Sequence, residues 1–176
     1  MSDALFQRVL GTGFDTLPPL LKALHLAPGL RLYRGQVEVE RGTHPIARLL
    51  AWATRLPPAG QGEVRVEIEA RDQSEKWTRH IRGHAMPSRL WSADGLLYER
   101  LGLATFGFRM SVDRGAIVWR VARVATLGLP LPARWFDGVI AHESEEAGRY
   151  CFDVRAALPV AGLLVRYRGW LDVPST

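Results

Sequence analysis

Between Glu63 and Thr126 apolar and polar residues alternate almost without a break. The run reads Glu63-Val-Arg-Val-Glu-Ile-Glu-Ala-Arg71, Lys76-Trp-Thr-Arg-His-Ile-Arg-Gly-His84 and Ser88-Arg-Leu-Trp91, then Leu96-Leu-Tyr-Glu-Arg100, Ala104-Thr-Phe-Gly-Phe-Arg-Met-Ser-Val112 and Ala116-Ile-Val-Trp-Arg-Val121. A period of two sends successive side chains to opposite faces, and the joining segments are turn-like. The stretch therefore reads as consecutive antiparallel strands, each with one buried and one wet face. Val64, Val66, Ile68 and Ala70 should face the core, as should Phe106, Phe108, Met110 and Val112. Trp77, Arg79 and Ile81 share a face, and so do Leu97, Glu99 and Leu101.

Two further long strands follow the Pro-interrupted loop Leu127–Pro132: Val139–Leu158, with Tyr150, Phe152, Val154 and Ala156 inward, and Gly162–Val173, with Leu163, Val165, Tyr167, Gly169 and Leu171 on one face. Before the meander, helices are expected at Asp3–Leu10, stopped by Gly11-Thr-Gly13, and from Leu17-Pro-Pro19 to Pro28-Gly29. Pro is tolerated in a first helical turn because its missing N–H would be unpaired there anyway. Leu30–Arg41 is the first strand, with Tyr33, Val37 and Val39 on one side. A third helix starts at Pro45 and stops at Pro57-Pro58; Ile46, Leu49, Leu50, Ala53 and Leu56 form its apolar stripe, and Trp52 packs under a strand.

The sum is about nine strands and three helices. Sequential antiparallel strands remove their edges by closing. The expected fold is α+β, a strongly curved antiparallel sheet or barrel with N-terminal flanking helices; a flat sheet with helices on one face is the alternative. The 176 residues are expected to form a single domain, since no linker, repeat or low-complexity run divides them.

Composition narrows the function classes. No run approaches the roughly 18 apolar residues of a membrane-spanning helix, and no signal peptide is recognisable, so a cytoplasmic protein is expected. The net charge of +5 comes from 23 basic residues of which only Lys22 and Lys76 are lysine. The arginines are scattered along the chain without a clustered face, which argues against a specific nucleic-acid partner. Arg166-Tyr-Arg-Gly-Trp170 could stack on bases, but one pentapeptide is a weak signal.

Catalytic patterns are absent. There is no Gly-x-Ser-x-Gly elbow, and Cys151, the single cysteine, alternates with Tyr150 and Phe152 as an inert strand residue. His80 and His84 lie on one strand face roughly 13 Å apart, too far for one metal. With His142, Glu143, Glu145 and Glu146 they match no established ligand spacing, and the expectation is no metal and no cofactor. Arg79 and Glu99 stand out, because a charge on an apolar face needs a partner. They should pair across the interior, as a structural ion pair or as the polar end of a ligand cavity.

Several phrases carry a resemblance: Leu5-Phe-Gln-Arg-Val-Leu-Gly11, Leu17-Pro-Pro19, Leu24-His25, Arg34-Gly35, Arg41-Gly42, Leu56-Pro-Pro-Ala-Gly60, Trp77-Thr-Arg79, Gly128-Leu-Pro-Leu-Pro132 and Gly162-Leu-Leu-Val-Arg-Tyr-Arg-Gly-Trp170. Along nearly its whole length the chain resembles a bacterial domain family of unknown function, similar to what is often fused behind saccharopine-dehydrogenase-like or short-chain-dehydrogenase-like Rossmann modules. The resemblance implies no catalytic residues. Gly11-Thr-Gly13 is not a dinucleotide fingerprint, since it opens no strand-helix unit.

The leading expectation is a non-catalytic binding domain that holds a small apolar or amphipathic ligand, with Arg79, Glu99, Trp77, Phe106, Phe108 and Tyr167 as ligand-binding residues. One alternative is an accessory domain with a filled core, acting beside a redox-enzyme partner through an apolar patch at Leu127–Phe136. Another is an enzyme using His84, Glu99 or His142, which would require those groups to converge.

Overall fold

The computed structural model describes residues 4–71 and 73–174. Asp3, the expected start of the first helix, and Asp72, in an expected turn, lie outside the described residues. The order is α1 (Leu5–Leu10), a 3-10 helix (Gly11–Thr16), α2 (Pro19–Leu26), β1 (Gly29–Arg41), α3 (Pro45–Ala53), β2 (Gly60–Arg71), β3 (Ser74–Ile81), β4 (His84–Ala93), β5 (Leu96–Leu101) and β6 (Ala104–Asp113). Then come β7 (Ala116–Thr126), β8 (Leu129–Leu131), a second 3-10 helix (Ala133–Phe136), β9 (Ile140–Glu146), β10 (Arg149–Leu158) and β11 (Gly162–Asp172).

Ten of these strands close into an antiparallel barrel. The meander β1 to β7 runs in order, β7 pairs with β9, and the ring continues through β10 and β11 back to β1. β8 adds to β7 beyond the point where β9 pairing ends. Short turns make this meander possible. Arg82-Gly83, Asp94-Gly95, Arg114-Gly115, Leu127-Gly128 and Ala147-Gly148 each place two successive residues at positive φ. That is the conformation whose twist matches paired strands, and glycine is the residue it costs least.

The expected strand count was low for two reasons. Val139–Leu158 is not one strand: Ala147-Gly148 folds it into β9 and β10. Leu127–Pro132 is not wholly loop, because Leu129–Leu131 pairs along β7 as an edge strand, where proline is tolerated.

One barrel end is plugged by the N-terminal segment. Leu5, Phe6, Phe14, Leu17, Leu21 and Leu24 are buried in the core with inward residues of the strands. Gly11, at positive φ, ends the first α-helix as expected, and the chain goes on as a 3-10 helix that buries Phe14. The backbone N–H of Leu20 donates to Glu145 Oε2 at 3.0 Å, and the Arg31 guanidinium donates to the Leu24 carbonyl.

The other end is flanked by α3, and here the expected stripe holds only in part: Leu50 and Leu56 pack against the core, but Ile46 and Leu49 do not. Ala47 and Ala51 are buried, whereas Ile46 and Leu49 are exposed and Trp52 is 76% exposed rather than packed under a strand. The reason is close approach. A Cβ on Gly42 would lie 1.6 Å from the Leu163 carbonyl oxygen, so α3 enters tight against β11 and only small side chains fit beneath it. Ala47 packs there with Ala161 and Leu164.

Candidate functional site

Inward alternation brings residues from eight strands around a chamber of about 80 Å³ inside the barrel. Val64, Val66, Ile81, Phe108 and Trp119 make much of its apolar wall. Trp77, Arg79, Glu99, Phe108 and Tyr167, all expected at a ligand site, line it. Phe106, the sixth, does not. The β6–β7 register shifts between Gly107 and Phe108, and Phe106 packs against Phe108 and edge-on to Phe136 at 6.0 Å instead.

The polar groups come from two parts of the ring, Arg79 and Glu99 from β3 and β5, and Glu143, Tyr150 and Tyr167 from β9, β10 and β11. Arg79 Nη1 donates to Glu99 Oε1 at 3.0 Å and to Ser88 Oγ at 3.0 Å. The pair spans two ladders: β3 carries Arg79, β4 carries buried Ser88, and β5 carries Glu99. The two side chains are 13% and 12% exposed. The guanidinium lies 5.0 Å above the Trp77 ring. Burial pulls the Arg79 pKa down, but Glu99 and the phenols of Tyr167 and Tyr150 more than offset this, so it stands above its ordinary value and the cation is secure.

A second polar chain enters from the plug. His25 Nε2 lies 2.7 Å from Glu143 Oε2, and Glu143 also hydrogen-bonds Tyr150. His25 is stacked on Phe6 at 3.7 Å between ring centroids. Burial, then Glu143, pushes the Tyr150 pKa well above its usual value. Burial raises Tyr167 to about 12, with Arg79 opposing and Glu99 and Glu143 adding to the rise. Both phenols are thus neutral hydroxyls near pH 7, able to donate and accept. The chamber presents a guanidinium, two carboxylates (Glu99 and Glu143) and two hydroxyls to an otherwise apolar space. The buried indole N–H of Trp119, another wall residue, has no hydrogen-bond partner.

The residues weighed for catalysis do not meet. His84 Nε2 bonds the Arg55 carbonyl at 2.9 Å outside the barrel, and His142 sits beside β7 residue Val118 in register, on the opposite strand face from Glu143. Only Glu99 reaches the chamber. Among the described residues no group of three or more His, Cys, Asp or Glu is placed to hold a metal ion. Burial raises the Cys151 thiol pKa, which keeps it protonated and unreactive. Among the described residues, no helix is long and apolar enough to cross a membrane.

Sequence reasoning missed three partners. His25 follows Leu21 and Leu24 on the buried face of α2, a placement helical spacing could have flagged. Glu143 alternates with Ala141 on β9 and belongs inside, not with the outward polar cluster. Glu75, expected in a turn, is buried on β3, where it accepts from Trp77 Nε1 at 2.6 Å.

A model of a family described as a domain of unknown function (DUF4166) matches residues 17–171 of this chain. No curated protein matches it. Among solved structures it is similar to that of Rv2717c from M. tuberculosis, at 13% identity and a TM-score of 0.41, over 90% of this chain and 99% of that one. The chain belongs to the DUF4166 family.

Proposed function

We propose that this DUF4166 member is a non-catalytic, cytoplasmic binding protein that holds a small apolar or amphipathic ligand in the barrel chamber. One observation carries the reading: a mostly apolar interior space whose polar lining is Arg79, Glu99, Glu143, Tyr150 and Tyr167. Pockets of this composition bind by apolar contact and orient by a few polar groups. The unpaired Trp119 indole adds a donor that a bound molecule or water would satisfy. At about 80 Å³ the space is roughly half an engineered cavity of about 150 Å³ that takes benzene, which favours a short ligand. Entry fits the wall at Val139 and Ile140. Pairing of β9 with β7 ends there, and the Ala133–Phe136 helix, tied by the Val139 N–H to Phe136 carbonyl bond at 2.8 Å, lies next to it.

The test is titration with butanol and with butanoate, read by NMR at the Trp119 indole N–H, beside native mass spectrometry of the purified protein. A saturable shift in the wild type is expected, lost in Ala141→Leu, which fills the chamber, while the dichroism spectrum stays unchanged. No shift with either probe and no copurified mass would overturn the reading. A second reading, an accessory domain beside a redox enzyme, draws on the exposed side chains of Leu127, Leu129 and Trp135. Failure of both probes, together with partner-dependent burial of those residues, would favour it.

A further inference from the structure

The end of the barrel opposite the plug gathers exposed apolar side chains from separate parts of the sequence. α3 presents Ile46, Leu49 and Trp52, and three strand turns present Leu103, Leu127 and Val160. These elements are in contact around one end. A Cβ on Gly102 would lie 2.8 Å from the Ala53 carbonyl oxygen, the Leu127 N–H donates to the Leu103 carbonyl at 3.2 Å, and Ala47 of α3 packs on Ala161. The apolar side chains thus share one end of the molecule rather than being scattered.

Charge at this end is predominantly basic. Segments 42–59, 82–83, 102–103, 127–138 and 159–161 make it up, and they carry exposed Arg48, Arg55, Arg82 and Arg134 against a single carboxylate, Asp137. Arg48 and Arg55 line the same groove as Trp52 and Leu103. The plug end is mixed: its turns and helices carry Asp15, Asp94 and Asp113 alongside Arg8, Lys22 and Arg114. Exposed Trp and Leu interleaved with arginine fit the boundary of an anionic bilayer, where aromatic and aliphatic groups enter the acyl region and guanidinium pairs with phosphate. A protein partner of ordinary interface composition would not require so basic a rim.

We propose that the α3 end of the barrel docks on anionic phospholipid surfaces, with Leu49 and Trp52 inserting and Arg48 and Arg55 pairing with headgroups. The proposal does not depend on the chamber being occupied. It places the Val139–Ile140 wall, next to the same end, close to the lipid.

Flotation of the full chain with vesicles of phosphatidylglycerol and phosphatidylcholine tests it, against vesicles of phosphatidylcholine alone. Binding to the anionic vesicles, weakened by salt, is expected. Leu49→Ser/Trp52→Ser should weaken it at least tenfold with the fold intact by dichroism, and Arg48→Glu/Arg55→Glu likewise. Leu30→Ser, which removes an exposed leucine near the plug end (75% exposed), should change nothing. The proposal fails if anionic vesicles are not bound at low salt. It fails equally if the serine variant binds as well as wild type, since general attraction of a +5 chain then suffices. Sedimentation showing a dimer that the serine variant dissolves, without vesicle binding, would assign this surface to a second copy and also overturn it.

Discussion

Glu143, on the inner face of β9, reaches the buried ring of His25 on α2 at 2.7 Å, so the plug is held to the barrel by a polar contact inside an apolar core. Its value lies in what is left when one side is removed. Glu143→Ala should strand the His25 ring, whose Nδ1 is already without a partner, and should cost about 3 kcal/mol. Glu143→Gln keeps a hydrogen-bonding atom in reach and should cost about 1 kcal/mol. Urea unfolding of both variants checks this; equal losses would mean that packing, not the bond, holds the plug.

Arg79 and Glu99 make the second prediction. Each single variant, Arg79→Met or Glu99→Leu, leaves the other charge in the barrel and should cost about 2–4 kcal/mol, reduced from the fully buried case because both side chains keep some exposure. The double variant should cost clearly less than the sum. A thermodynamic cycle by chemical denaturation measures the coupling, and additive small losses would contradict it.

Tyr167 sets the behaviour in alkali. Its folded pKa of about 12 lies above the ordinary tyrosine value of about 10, so the proton is held more tightly in the folded state. Its contribution is therefore complete below about pH 10 and is lost as pH rises through about 12. Tyr150 shifts the same way. Stability should be flat near pH 8 and fall above pH 10, and Tyr167→Phe should shallow that fall by roughly 2 kcal/mol. Ultraviolet titration should show tyrosinate from these two side chains appearing only as the protein unfolds.

Gly35 gives the fourth. Its Cβ would lie 1.7 Å from the Trp170 carbonyl oxygen, across the β1–β11 ladder. Gly35→Ala must push those strands apart and should cost more than about 3 kcal/mol or prevent folding, whereas Gly83→Ala, with open space around it, should cost only about 1 kcal/mol from its positive φ. Thermal melts of the two variants separate the cases.

The alternation that placed Arg79 and Glu99 inward was legible because a charge among apolar neighbours at period two has only one face to occupy. The same rule failed where the period continued through a turn: Glu145-Glu146-Ala147-Gly148 reads on as strand, and only the positive φ of Ala147 and Gly148 reverses the chain. In α3 the apolar stripe was half right: Leu50 and Leu56 pack inward, but backbone proximity selects Ala47 and Ala51 for the closest contact and leaves Ile46 and Leu49 outside, and no helical period encodes that distance. The His25–Glu143 contact joins positions 118 residues apart, and a pairing of that separation is set by closure of the whole ring rather than by local pattern.

That closure has a consequence for biosynthesis. The ladder completing the ring pairs Arg34–Arg41 of β1 with Val165–Asp172 of β11, so β1 waits with one bare edge while every intervening strand is made. Ribosome-bound chains stalled before β11 should be sticky, protease-sensitive and dependent on a holdase, and they should become resistant in a single step when that strand emerges. The interior acquires its walls last, so anything held there must arrive after translation.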